Sequence, residues 1–429
     1  MPHLEGAKEI HEIPLNPQDT RRDRVAEKSS LPRGDPITAS SRPACVGHLR
    51  GTMKATQENY REVLEQVCRS IVATESTVVD QSGIFPKKSI DALRGAGLLG
   101  AVSAPEVGGL GLGLSGAVTI VERLARDCGS TAMVATMHFS GTAVLEAFGT
   151  GAVRRAVATG EHLSTLAFSE AGTRSHFWAP SGTATREDNS VVLDANKSFV
   201  TSAAQATAYV WSSRPVEAEG ISTLWLVPSN MEGLAVKGPF DGLGLRGNDS
   251  SPVVADKVRV PLSAMLGTDG GGFNAMLQIV LPTFCMCSAA GSVGLMQAAV
   301  ERTVAHANGT IYDHTRSSLA ELPTIRNYIA RMKILTDSAH TLLLDTVAAV
   351  ESQRSDAVLR VLESKAAAGE AATQVLDLAM RVCGGAAFRK EVGVERYFRD
   401  ARAAGVMGPT TDILYDFIGK AVCGMELFS

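Results

Sequence analysis

Residues 164–172, "STLAFSEAG", decide the fold, because the hydrophobic period changes there from helical to extended. Upstream, "ENYREVLEQVCRSIVATES" (58–76) places Val63, Val67, Ile71 and Val72 on one helical face. "KKSIDALRGAGLLG" (87–100) and "GAVTIVERLARDCGSTAMVATMHFSGTAVLEAF" (116–148) continue the helical pattern up to "GAVRRAVATGEH" (151–162). Downstream lie short runs of β-type: "SVVLDANKSFVTSA" (190–203), "AYVWSS" (208–213), "STLWLVPS" (222–229) and "VVADKVRVP" (253–261). Gly, Pro, Asn and Asp punctuate them, as turns between strands require. Long helical patterns return over 272–308, 323–351 and 356–383.

The expected class is therefore α+β and mostly α. A helical domain over 53–163 is followed by a strand-rich middle domain over 164–267 and a helical bundle over 268–429. Residues 1–52 show neither period and are rich in Pro, Ser, Arg and Asp. They are expected to be a disordered tail, or a translation start placed upstream of Met53.

The 429 residues are 45% hydrophobic and 20% charged, with a formal net charge of −4. That balance gives no electrostatic reason to expect nucleic acid or an anionic membrane as partner. The apolar stretch 275–300 is interrupted by Gln278 and Pro282, so no membrane span is expected. Seven scattered cysteines suggest reduced core thiols and a cytoplasmic setting. The pair in "FCMC", Cys285 and Cys287, lacks zinc-site spacing and is read as core; no metal is expected.

Six segments in order resemble the acyl-CoA dehydrogenase superfamily. They are "LLGAVSAPEVGGLGLG" (98–113), "LAFSEAGTRS" (166–175), "SFVTSA" (198–203), "GLGLRGNDSSPVVADKVRVPLSAMLG" (242–267), "GGFNAML" (271–277) and "RVCGGAAF" (381–388). The resemblance implies a helical N-terminal domain, a middle β-barrel and a C-terminal four-helix bundle. It also implies FAD as cofactor and a homo-oligomer, a dimer or tetramer, in which a neighbouring subunit completes the cofactor site.

Carried over residue by residue, the resemblance assigns flavin contacts to Leu166, Phe168, Ser169, Ser175, Phe199, Val200 and Thr201. It assigns the adenosine half of FAD to Arg381, Gly384 and Gly385, and a further cofactor contact to Thr410, Thr411 and Asp412. Phe168 and Phe199 can supply an apolar wall, and Ser169 and Thr201 can supply hydroxyl donors. Glu170 belongs to the same loop and is read as structural.

One departure governs the chemistry. Aligning "RDARAAGVMGPTTD" (399–412) with the family pattern places Gly408 where a proton-abstracting glutamate would stand. The alternative location, on "QIVLPTFCMCSAAG" (278–291), carries no acid either. Asp412 and His138 are the substitute catalytic candidates, and His176 a third. The Arg-x-x-Phe-Gly element for the pyrophosphate is missing from "TIYDHTRSSLAELPTIR" (310–326), where Arg316 or His314 could serve.

Three functions remain open on the sequence. One is oxidation of an acyl thioester, on CoA or a carrier protein, in a specialised biosynthetic pathway. A second is a flavin-dependent monooxygenase of the same fold, fed by a flavin reductase; the dehydrogenase would instead need an electron-transfer partner. The third is a non-redox or scaffolding descendant.

Overall fold

The computed structural model describes residues 53–173 and 176–427. The expectations for residues 1–52 and for Ser175 lie outside them.

The helical layer comprises α1 (Tyr60–Val67), α2 (Ala73–Ser82), α3 (Lys87–Gly95), α4 (Gly113–Ala125), α5 (Gly129–Phe148) and α6 (Gly151–Ala158). A π turn, Cys68–Val72, joins α1 to α2. Val63, Val67 and Val72 are buried on the face the period picks out. Helix α5 is buried nearly all round, the position of a central helix rather than a surface one.

The described residues of the middle region form eight strands: β1 (Ser164–Ala167), β2 (Thr183–Glu187), β3 (Ser190–Val200), β4 (Ala208–Ser213), β5 (Thr223–Pro228), β6 (Leu234–Val236), β7 (Ser251–Pro261) and β8 (Met265–Leu266). They form two four-stranded sheets, ordered β1-β4-β5-β8 and β2-β3-β7-β6. Only β1 against β4 is parallel. Both sheets contribute to one core, with Trp211 and Trp225 fully buried and Val191, Leu193, Val258 and Val260 facing them. The Trp225 indole is satisfied by Ser213 Oγ at 2.8 Å, as a buried N–H requires.

The chain then returns to helix as α7 (Gly272–Ala275), α8 (Leu281–Gly309), α9 (Pro323–Glu351), α10 (Ala357–Cys383), α11 (Val394–Val406) and α12 (Thr411–Val422). The π turn Met276–Val280 makes α7 and α8 continuous. By length and composition this stretch could cross a membrane. Instead it packs against α4, α9, α10 and α11, with 67% of its most apolar window buried. Cys285 and Cys287 are fully buried within it, and burial pushes both thiols up to about 12. They are core residues, as expected.

Candidate active site

A cavity of about 1060 Å³ lies where β1, β3, α5, α8 and α11 meet. Leu166, Phe168 and Ser169 reach it from the end of β1, and Phe199 and Thr201 from the end of β3. Met133 and Met137 of α5, with Leu281 and Phe284 of α8, line an apolar part. The loop from Phe240 to Leu245 and one face of α11 (Arg399, Arg402, Ala403, Val406) close it, together with Gly408 and Thr410.

Local geometry explains why those side chains face inward. The register of β3 on β7 shifts between Lys197 and Val200, a bulge that breaks the strand's alternation. Phe199 takes φ of 51° there and turns away from the barrel core, leaving it 74% exposed on the cavity. Val200 turns the other way and is buried in the sheet core. Of the two adjacent residues expected to meet the flavin, only Phe199 presents its side chain to the cavity. Thr201 is buried and shares a hydrogen bond with Ser250 Oγ at 2.9 Å, both residues facing the cavity.

Beneath this wall lies a buried ion pair. Lys197 Nζ donates to Glu170 Oε1 at 2.6 Å, to the Ser212 carbonyl at 2.7 Å and to Ser212 Oγ at 3.0 Å. Glu170 Oε2 also accepts from the backbone N–H groups of Ser181 (2.7 Å) and Gly182 (2.9 Å), and from the Ser181 hydroxyl. Burial opposes the Glu170 charge, but the Lys197 ammonium and these donors outweigh it and hold the carboxyl below its usual range. Glu170 is thus structural, as expected, and it locks the 168–173 loop to β3.

The Gly408 segment is held by a residue not singled out from the sequence. Lys365 of α10 is 2% exposed, and its Nζ donates to the carbonyls of Ala404 (3.2 Å), Met407 (3.1 Å) and Pro409 (2.8 Å). No carboxylate pairs with it among the described residues; burial pulls the ammonium down to about 8. The carbonyl ends of α11 supply the compensating partial charge. A signal was present: Lys365 stands on the apolar stripe Val361, Lys365, Ala368, Ala372, Val375, where a solvated lysine has no place. Lys197 is likewise on the inward alternation of β3 with Val191, Leu193 and Ala195.

The two substitute catalytic candidates are not brought to the cavity. His138 is fully buried between α5 and β1; Nδ1 accepts from Ser164 N–H at 3.1 Å, so Nε2–H donates to the Leu99 carbonyl at 3.0 Å. Burial lowers its pKa to about 4, and both ring nitrogens are engaged, so it is a core histidine and not the base. Asp412 is exposed on the first turn of α12 and does not line the cavity. His176 is exposed and stacks edge-on against Trp178, also off the cavity wall.

Thr410 lines the cavity, whereas Thr411 packs toward Gly369 and Gly405. Arg381, Gly384 and Gly385 lie outside the cavity at the far end of α10, with Arg381 stacked 4.8 Å over Tyr328. A Cβ added at either glycine would meet nothing within 4 Å, so that backbone is open to close approach from outside. His314 and Arg316 sit in an exposed loop before α9.

Family models for the acyl-CoA dehydrogenase N-terminal domain match residues 54–160, for the middle domain 165–258 and for the C-terminal domain 270–423. This chain belongs to the acyl-CoA dehydrogenase family, whose members are FAD-dependent oxidoreductases. Human mitochondrial short-chain specific acyl-CoA dehydrogenase is 29% identical, the match covering 82% of this chain and 87% of that one. Cyclohex-1-ene-1-carbonyl-CoA dehydrogenase of Geobacter metallireducens is 26% identical, covering 87% and 99%. Among solved structures, butyryl-CoA dehydrogenase from Megasphaera elsdenii superposes with a TM-score of 0.80 at 22% identity, covering 86% of this chain and 98% of that one. A prolyl acyl carrier protein oxidase superposes at 0.79 with 19% identity, covering 85% and 98%.

The residues present fit FAD. The cavity has room for a ring system beside an acyl chain, an apolar wall in Leu166, Phe168 and Phe199, and hydroxyls at Ser169, Thr201 and Thr410. What it lacks is a free base. Glu170 is the only carboxylate among the described lining residues, no histidine or cysteine joins it, and it is committed to Lys197.

Proposed function

We propose that this chain oxidises an acyl thioester, on CoA or a carrier protein, in a specialised pathway rather than in general acyl-chain breakdown. The observation behind this reading is one cavity that joins the ends of β1 and β3 to an apolar recess under Gly408. Bound FAD supplies the two-electron oxidant. Ser169 and Thr201 orient the polar edge of the ring, and Phe168 and Phe199 confine it. Met133, Met137, Leu281 and Phe284 exclude water and seat the acyl chain. Lys365 fixes the Met407–Pro409 backbone, so the wall under the reacting carbons is rigid.

No described lining residue is free to take an α-proton. The chain therefore suits thioesters whose α-proton is already acidified by their own structure, so that it passes to water at the open side of the cavity, where Phe199 is 74% exposed. It would turn over simple saturated acyl groups slowly, by about the 10²–10⁴ that a positioned base contributes. The same absence favours one other reading, a monooxygenase that uses reduced flavin and O2 and needs no base at carbon. Mixing FAD-loaded protein with thioesters under anaerobic conditions separates the two. Bleaching of the flavin supports oxidation of the thioester; O2 consumption with separately reduced flavin and a hydroxylated product supports the monooxygenase.

A further inference from the structure

Two arginines of α11 face the cavity, and only one of them is paired. Arg399 makes a bidentate contact with Asp80 (2.9 and 2.7 Å), a third bond to Glu395 at 2.7 Å and a fourth to the Leu243 carbonyl at 3.2 Å. Its charge and geometry are used up in holding the Leu243–Leu245 loop against α11. Arg402, one turn on, has no carboxylate partner among the described residues. Its Nε is buried without a hydrogen-bond partner, and its guanidinium is seated 4.2 Å over the Phe398 ring.

A guanidinium carries its charge permanently, and a partly buried one without a counter-charge is unfavourable. The stack on Phe398 fixes its plane in advance, which reduces the ordering cost of a planar anion binding edge-on. The described residues offer no such anion inside the cavity. Glu170 is tied to Lys197, and the position where the family resemblance puts a carboxylate is Gly408. The counter-charge is left to the ligand. Ala403 and Val406 flank Arg402 on the same helix face, and Met133 and Met137 line the same cavity. That is the surrounding of an acyl chain, while Gly384 and Gly385, assigned to the adenosine half of FAD, lie outside it.

We propose that Arg402 is an anion subsite of the acyl recess, and that the substrate is an acyl thioester bearing a carboxylate on its acyl chain. The proposal rests on the thioester reading above. The probes are glutaryl-CoA, its uncharged counterpart pentanoyl-CoA, and free glutarate, each titrated into FAD-loaded protein and followed by calorimetry. The wild type is expected to bind glutaryl-CoA about ten- to a hundred-fold more tightly than pentanoyl-CoA, the range for a hydrogen-bonded charge pair. Arg402→Gln should bring the two together, and Arg402→Lys should keep part of the preference.

Equal affinities in the wild type, or a preference that survives Arg402→Gln, overturns the subsite. If neither thioester binds but glutarate does, and Arg402→Gln abolishes it, the subsite stands and the thioester reading fails. If FAD itself dissociates more readily from Arg402→Gln, the guanidinium serves a cofactor phosphate and the proposal is wrong. Thermal unfolding of both variants, with midpoints unchanged, confirms that they are folded.

Discussion

Lys365 Nζ lies 2.8 Å from the carbonyl oxygen of Pro409, the residue directly after the cavity-lining Gly408. A buried cation thus holds a segment that carries no catalytic acid, through three carbonyls and no carboxylate. Replacing Lys365 with Met strands those carbonyls in an apolar site. We expect a loss of about 3 kcal/mol in urea denaturation, the upper range for unsatisfied buried polar groups. Weaker thioester binding should accompany it, because Met407 and Gly408 line the cavity.

The Glu170–Lys197 pair tests how far the cavity wall depends on buried charge. Lys197→Met leaves an uncompensated carboxylate and should cost about 3–5 kcal/mol, read from denaturant titration. The double variant Glu170→Gln, Lys197→Met should recover much of that stability. Flavin affinity should fall in both, because the pair fixes the loop bearing Phe168 and Ser169 to the strand bearing Phe199.

Two buried groups give opposite pH dependences. His138, held down near 4 against an ordinary 6.5, is neutral in the fold and must gain a proton to charge. Its contribution is present above pH 6.5 and is lost as the pH falls through 4, about 3 kcal/mol in all. Asp400, pushed by burial up to about 6 from 3.8, contributes stability below 3.8 that is lost as the pH rises through 6. Stability measured from pH 7 to 4 should therefore steepen in Asp400→Asn, which lacks the offsetting gain, and flatten in His138→Gln.

Gly408→Glu puts a carboxylate on the cavity wall. With a saturated thioester it should speed flavin reduction by about 10²–10⁴, measured by anaerobic stopped flow. Asp412→Asn should leave that rate unchanged in either background, because Asp412 is exposed and off the cavity.

Much of the layout was legible because it follows from period alone. The helix expected over 323–351 is α9 at Pro323–Glu351, and the change at residue 164 is the first residue of β1. The cavity wall was legible in part. Phe168, Ser169, Phe199 and Thr201 line the cavity, but alternation could not show which of Phe199 and Val200 would face it, since a bulge decides that. His138 misled because a histidine on an apolar helix looks the same whether it faces a pocket or a backbone carbonyl. Lys365 and Arg402 were missed for a different reason. The apolar stripe marks Lys365 as buried, but no local spacing shows the three carbonyls around it, nor that Arg402 has no carboxylate partner among the described residues.

The most direct measurement is the absorbance of FAD-loaded wild-type protein mixed anaerobically with acyl thioesters, carboxylated and uncharged. Oxidised flavin is expected to bleach, fastest with a thioester whose α-proton is acidified, while an α,β-unsaturated thioester accumulates in step. Flavin that binds but stays oxidised with every thioester, while separately reduced flavin consumes O2 and yields a hydroxylated product, would contradict it.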